Sequence, residues 1–363
     1  MKTEESTAHH GPPHGHAAKS DSAPRAPDGA ERELKFGVPD ANWVALSREM
    51  SGADSRLDLL HAIYQDVPDR SLARASVALR VRRERGQWIQ TLKAPGAHAL
   101  ERVEDEVVIG PARDGKRPPT ADLKRHKSSA AHAALRDALG LKQDDPWPKV
   151  QPAFEVKVQR RVRQVMEGES RIELALDEGE VLAAGRKQPI RELELELVEG
   201  DVRDLLALAR RWRERWGLWL STASKAARGD RLVSGELYGP AVAAAALQLR
   251  AKPRMGEFTA AVLHECMAQV AGNASEIAAG SQADEHVHQV RVGLRRLRTA
   301  LRELPGLSGA RESFEPVLVR VFQALGERRD RTHVLRTIAP QVEAAGGPPL
   351  RVPPGFHEGA DAG

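Results

Sequence analysis

The sequence predicts an α+β protein: a closed antiparallel β-barrel forming a tunnel with a polar lumen and outer helices, followed by an all-α helical bundle. Three observations lead there. Residues 192–197 alternate strictly between Glu and Leu, so Glu192, Glu194 and Glu196 share one strand face and the leucines share the other. At least five upstream segments repeat that period of two, some with basic rather than acidic residues on the polar face. Beyond residue 241 the period becomes helical, with Val287, Val290, Leu294, Leu297 and Leu301 on one stripe.

A length of 363 residues allows about two domains. Apolar content of 41% and a mean hydropathy of -0.47 suit a soluble protein, and 4% aromatics leave its cores to Leu, Val and Ala. The nearest approach to a membrane span, 241–249, is far short of the roughly 20 apolar residues required, and the N-terminus lacks the apolar core of a secretory signal. A single cysteine, Cys266, rules out an internal disulfide and fits a reducing cytoplasm; its apolar neighbours make it a core residue. With a net charge of only +4, any polyanion binding must come from local arrangement.

In chain order, residues 1–30 are rich in His, Pro, Gly, Ser and Ala and read as a disordered tail. The first strand, 31–36, puts Glu31, Glu33 and Lys35 on one face. A short helix is expected at 40–50, from Trp43, Leu46 and Met50, then a strand at 57–64 and a turn at 66–69. In the strand 77–83, Arg80 and Arg82 oppose Leu79 and Val81. Gly86 leads to its hairpin partner, 88–93, ending at Lys93. Arg102, Glu104 and Glu106 share a further face. A loop at 111–119 and an amphipathic helix at 121–139 precede a strand at 154–165. There the valines 156, 158 and 162 alternate with Lys157, Gln159, Arg161 and Arg163. Residues 171–177 place Arg171, Glu173 and Asp177 together, the acidic strand follows, and 202–216 is helical.

Three carboxylates side by side repel one another unless solvent or a cation compensates them. A sheet facing bulk water has no need to segregate acids and bases by strand, whereas a closed barrel of about eight strands with a charged lumen does. Such a lumen is a site for a highly charged ligand: arginines and lysines grip phosphate oxygens, and carboxylates hold hard divalent cations.

The ordered set Glu31-x-Glu33-x-Lys35, residues 64–68, 79–83 and 91–93, Arg102-x-Glu104-x-Glu106, Glu173-x-x-x-Asp177-x-Gly179, 192–197 and Ser224-Lys225 resembles the CYTH superfamily of triphosphate tunnel metalloenzymes over about residues 31–230. The resemblance implies metal-dependent hydrolysis of a triphosphate inside the tunnel, with Mg²⁺ or Mn²⁺. By motif it implies metal ligands at Glu31, Glu33, Asp177, Glu192, Glu194 and Glu196. Phosphate oxygens would meet Lys35, Arg80, Arg82, Lys93, Arg102 and Lys225, with Lys35, Arg80, Arg82 and Glu104 as the catalytic group. Glu106 and Glu173 would join the acidic side. One more arginine belongs to the set: the motif favours Arg160, face parity favours Arg161, and both stay candidates. No Gly-rich phosphate loop ending in Gly-Lys-Ser/Thr is present, and the chemistry asks for no Ser or Cys nucleophile.

In residues 288–298, His288, Arg291, Arg295 and Arg298 fall on one helical face. With Asn273 upstream and 326–330 downstream, this run is similar to the CHAD domain over about residues 241–345. That resemblance implies a helical bundle with a basic surface for inorganic polyphosphate, here lacking the family's second helical half. Residues 346–363 read as a tail. The expected function is hydrolysis of tripolyphosphate to pyrophosphate and phosphate. The alternatives are a nucleoside or thiamine triphosphatase, an adenylate cyclase of the CYTH type, or a polyphosphate-binding module without turnover. The substrate would be inorganic triphosphate or polyphosphate. Nucleic acid is not expected, because bases alternate with acids and no stacking aromatics accompany them.

Overall fold

The computed structural model describes residues 32–95, 102–112, 118–126, 129–247, 249–333 and 338–349. The tail expected at 1–30 lies outside the described residues, as do Glu31 and all but residues 346–349 of the tail expected at 346–363. The elements in order are β1 (Glu33–Gly37), α1 (Asp40–Glu49), β2 (Arg56–Asp66), α2 (Ser71–Arg74), β3 (Ala78–Glu84), β4 (Gln87–Pro95) and β5 (Arg102–Pro111). Next come α3 (Ser129–Leu139), β6 (Gln151–Glu167), β7 (Ser170–Ala183), β8 (Arg186–Glu199), α4 (Val202–Trp216), β9 (Trp219–Leu220) and α5 (Lys225–Ser234). The helices α6 (Met255–Ala278), α7 (Asp284–Glu303), α8 (Ser308–His333) and α9 (Ala339–Ala344) follow.

The expected closed barrel is not formed. The strands make one open antiparallel sheet in the order β5-β4-β3-β2-β6-β7-β8-β1-β9, with β5 and β9 as its edges. Alternation shows that the two faces of a sheet differ; it does not show whether the edges meet. Here β9 is two residues long and pairs only with Phe36 and Gly37 of β1. The sheet is nevertheless curled. Lys93 on β4 acts electrostatically on Glu196 on β8, although five strand spacings would part them by about 24 Å in a flat sheet. Register shifts in β2, β4 and β7 add to the bend.

The convex face carries two apolar cores. One packs Leu174, Leu176, Leu193 and Leu195 beneath α1 and α4. The other packs Leu79, Val81 and Leu92 beneath α2 and α3. Full burial of each such leucine stabilises by about 1.5–3 kcal/mol. Asp201 caps α4 by accepting from Arg203 N, and Gly217, at φ 60°, ends it.

The concave face is part apolar and part charged. Leu60, Ala62, Tyr64, Phe154, Val156 and Val158 form an apolar patch that α5 covers through Leu232. Gly229 permits the contact, since a Cβ there would lie 2.0 Å from Phe154 Cε2. Thus α5 shields from within the sheet what closure would otherwise shield.

Two helix boundaries differ from expectation. Residues 121–139 do not form one helix: a 3-10 turn, Leu123–Arg125, precedes α3. The Gln90 side chain ties down both the N–H and the carbonyl of Asp122, which stops a helix there. Residues 241–247 and 249–254 are not helical. Asn273 of α6 bonds Val242 N and O and holds that arm extended. Cys266 is buried between α6 and α7. Among the described residues no helix is long and apolar enough to cross a membrane.

Candidate active site

Strand register sets the charged face out in rows. Glu196 on β8 lies between Glu33 on β1 and Glu173 on β7. Glu194 lies between Lys35 and Ala175, and Glu192 between Gly37 and Asp177, which pairs onward with Arg160 on β6. The sequence therefore folds a row of acids alone beside two rows that mix acids with bases.

The mixed rows close on a lysine from outside the sheet. Lys225, the first residue of α5, sets its Nζ 2.8 Å from Asp177, 2.9 Å from Glu192 and 2.8 Å from Glu194. Arg160 grips Asp177 bidentately at 2.7 Å through Nε and Nη2, and Nη2 reaches Glu194 at 2.5 Å. Burial alone would raise the Glu194 carboxyl, but Lys225 and Arg160 outweigh it and hold the group far below the usual carboxylate range. Against the opposing effect of burial, Asp177, Glu192 and Glu194 raise Lys225 well above an ordinary lysine. Lys35 is lowered by burial and by the nearby Lys225 charge; its Nζ donates to Ala223 O.

The acid row behaves oppositely. Burial, then Glu173, Glu33 and Glu194, push Glu196 above the normal carboxylate value. Lys93 opposes that rise from across the face, and the row's donors are the hard oxygens that Mg²⁺ or Mn²⁺ prefers. Asp177, Glu192 and Glu194 also offer oxygens within 4.8 Å of one another, but Lys225 sits among them.

Across the concave face stand the bases. Arg82 bonds Glu84 at 2.5 Å and lies 3.8 Å from Glu106, Arg80 lies 4.0 Å from Glu106, and Lys93 pairs with Glu104 at 2.9 Å. Burial, with Arg80 and Arg160 as like charges, lowers the Arg82 guanidinium. The Nε atoms of Arg80 and Arg82 are buried without a hydrogen-bond partner among the described residues.

The sequence-predicted residues Glu33, Lys35, Arg80, Arg82, Lys93, Glu104, Arg160, Asp177, Glu192, Glu194, Glu196 and Lys225 thus lie on one face. Arg161 does not: strand alternation turns it to the convex side with Lys157 and Arg163. Arg102 is in β5, paired with Pro95. Sequence reading missed Arg228, whose Nη1 holds Glu192 at 2.8 Å. The available signal was its spacing, one helical turn after Lys225 behind the Ser224 cap. In the helical region Arg291, Arg295 and Arg298 ring Phe322, at 4.4, 5.9 and 6.0 Å from its centroid. Arg298 also pairs with Glu315, and His288 Nδ1 is buried without a partner.

Comparison with known proteins adds to this geometry. The CHAD domain family model matches residues 261–361. An inorganic triphosphatase of Haemophilus influenzae is 33% identical over 171 residues, 47% of this chain and 45% of that protein, so the chain spans less than half of its relative's length. A candidate adenylyl cyclase from Hippeastrum, with a dominant triphosphatase activity, aligns at 23% identity and TM-score 0.41 over 57% of this chain and 97% of that one. A candidate adenylate cyclase from Bacillus halodurans aligns at 18% and 0.36 over 54% and 94%. The CYTH domain family model matches residues 29–229, more than half of the sequence, and the chain belongs to the CYTH family.

Proposed function

We propose that this protein hydrolyses inorganic triphosphate to pyrophosphate and orthophosphate with the help of a divalent cation, Mg²⁺ or Mn²⁺. The observation that carries the reading is the meeting, on one concave face, of an acid row whose Glu196 carboxyl is raised by burial, Glu173 and Glu33 with arginines whose buried Nε donors lack partners among the described residues. The Haemophilus relative, an inorganic triphosphatase, supports it. Arg80, Arg82, Arg160, Lys93 and Lys35 grip the phosphate chain. Their charge offsets what develops on the oxygens as water attacks a terminal phosphorus and the bridging P–O bond breaks. Glu33, Glu173 and Glu196 hold the cation, with Glu31 of the same strand motif as a further ligand. When bound, the cation supplies Lewis-acid polarisation and a more acidic water. Lys225 keeps Asp177, Glu192 and Glu194 ionised, which in turn fixes Arg160.

An inorganic rather than a nucleoside substrate is favoured by α5. The stacked Tyr64–Phe154 pair, 4.5 Å between centroids, would suit a purine, but α5 lies over Phe154. We place the reaction in the cytoplasm, since the one cysteine allows no internal disulfide. The test is phosphate release from tripolyphosphate, ATP and thiamine triphosphate by the full chain with Mg²⁺ or Mn²⁺. Release from tripolyphosphate that EDTA stops and Glu196→Gln abolishes is expected. A folded protein silent on all three substrates would refute hydrolysis and leave a binding module.

A further inference from the structure

Behind Glu192 lies a cavity of about 680 Å³, bounded by the start of β8, by α5, and by the last turns of α6. Glu192 is its shared wall: Oε2 meets Lys225 inside the charged face, and Oε1 meets Arg228, which lines the cavity. Lys187, Arg191 and Arg231 are its other cations. The hydroxyl-bearing Ser221, Ser275 and Tyr238 also line it.

The charges of this cavity differ in how firmly they are held. Glu276, nearly buried, is locked by Arg231 at 2.8 Å and by Gly239 N at 3.1 Å, and Glu192 is locked by Lys225 and Arg228. By contrast Arg191 pairs with Asp40, whose side chain is 88% exposed, and Lys187, 71% exposed, meets Glu180 at 3.3 Å. Glu178 stands 4.0 Å from Arg191 as a second, exposed partner. Exposed pairs of that kind contribute little, so an anion can displace these carboxylates at low cost. Stacking over Trp43, at 5.4 Å from the ring centroid, already orients the Arg191 guanidinium.

We propose that this cavity is a second phosphate-oxyanion subsite, adjoining the charged face at Glu192. It takes either orthophosphate or the trailing phosphates of a chain longer than triphosphate, with Lys187 and Arg191 as the exchanging cations. The proposal rests on the phosphate reading of the charged face and extends it to chain length.

The test is calorimetric titration of the full chain, without metal, with orthophosphate, tripolyphosphate and long-chain polyphosphate. Lys187→Glu combined with Arg191→Gln should weaken long-chain binding at least about fivefold, the scale of one or two screened charge contacts, and leave tripolyphosphate within about twofold. Asp40→Lys, which removes the exposed carboxylate that competes for Arg191, should strengthen long-chain binding. A parallel change with orthophosphate identifies the released product as occupant; no change identifies the chain. Equal effects at every chain length, no effect at all, or weaker binding by Asp40→Lys overturns the subsite. Since affinity is read without turnover, a catalytically silent protein that keeps these chain-length effects would sink the hydrolysis reading alone.

Discussion

The Nζ of Lys225 lies 2.8 Å from Asp177, a carboxylate with no exposed surface, and reaches Glu192 and Glu194 at almost the same range. A helix that covers the sheet from its concave side thus supplies the cation that lets three buried acids stay ionised. Removing one partner of a buried ion cluster costs about 3–5 kcal/mol, because the remaining charges stay desolvated and unpaired. Lys225→Met should lower the melting temperature sharply, and millimolar Mg²⁺ or Mn²⁺ should restore much of the loss by taking the vacated position among the acids. Thermal unfolding with and without metal reads this; an unchanged melting temperature in metal-free buffer contradicts the arrangement.

Glu196 should give the metal-free protein an inverted pH dependence. Its carboxyl is raised in the fold by burial and by Glu173, Glu33 and Glu194. Between the unfolded and folded values the native state therefore binds more protons than the unfolded chain, and stability falls as pH rises through that window. Above the folded value the penalty is complete. Glu196→Gln removes it, so the variant should be the more stable protein at neutral pH and lose that advantage in acid below the ordinary carboxylate value. Metal affinity should disappear in the same variant. Melting curves across pH for both proteins decide the sign.

Asp230 provides a second case of that sign on the other side of α5. Burial outweighs Arg70, 2.6 Å away, and lifts the carboxyl to about 6. Asp230→Asn should stabilise above about pH 6 and converge with the parent protein towards pH 4, as protonation makes the two side chains alike. Chemical denaturation at pH 4 and pH 8 measures it. A variant that is less stable at both values would mean that Arg70 governs this position rather than burial.

Gly229 should reverse the usual rule for helix glycines. In an exposed helix, Gly→Ala gains about 1 kcal/mol. Here the new Cβ would stand 2.0 Å from the Phe154 ring, so Gly229→Ala must push α5 off the concave face and draw Lys225 out of the acid cluster. Loss of stability and of triphosphate turnover is expected together. Phe154→Leu, which removes the ring, should recover part of both in the double variant, since residues in contact do not act additively. Equal losses in the single and double variants would exclude the clash.

Much of this site was legible because charge alternates at a period of two. Glu192, Glu194, Glu196, Arg80, Arg82 and Lys35 reach one face by strand geometry alone. Edge closure was not legible, because nothing in the alternation of 192–197 says what β5 or the two-residue β9 will pair with. Nor was the entry of α5 into the concave face. Lys225 was found from its motif, but Arg228 depends on packing between elements distant in sequence. The helix expected from residue 121 failed for a similar reason, since Gln90, some thirty residues earlier, fixes the Asp122 backbone.

Parity at β6 misled for a more specific reason, and it sets the last prediction. Val156, Val158 and Val162 share a face with Arg160, so the apolar stretch argues against a charged side there and favours Arg161. In the structure that face is apolar under α5 at Phe154, Val156 and Val158 and becomes charged at Arg160, where the patch ends and Asp177 begins the acid cluster. Arg160→Ala removes a bidentate partner of buried Asp177 and a cation from the charged face. Turnover of tripolyphosphate should fall by on the order of 10², the scale of losing one preorganised charge contact. Arg161→Ala, on the convex face, should stay within a few-fold of the parent. Steady-state kcat/KM for the two single variants separates the faces: comparable losses in both would mean that β6 presents Arg161 to the site and that the register between Arg160 and Asp177 is wrong.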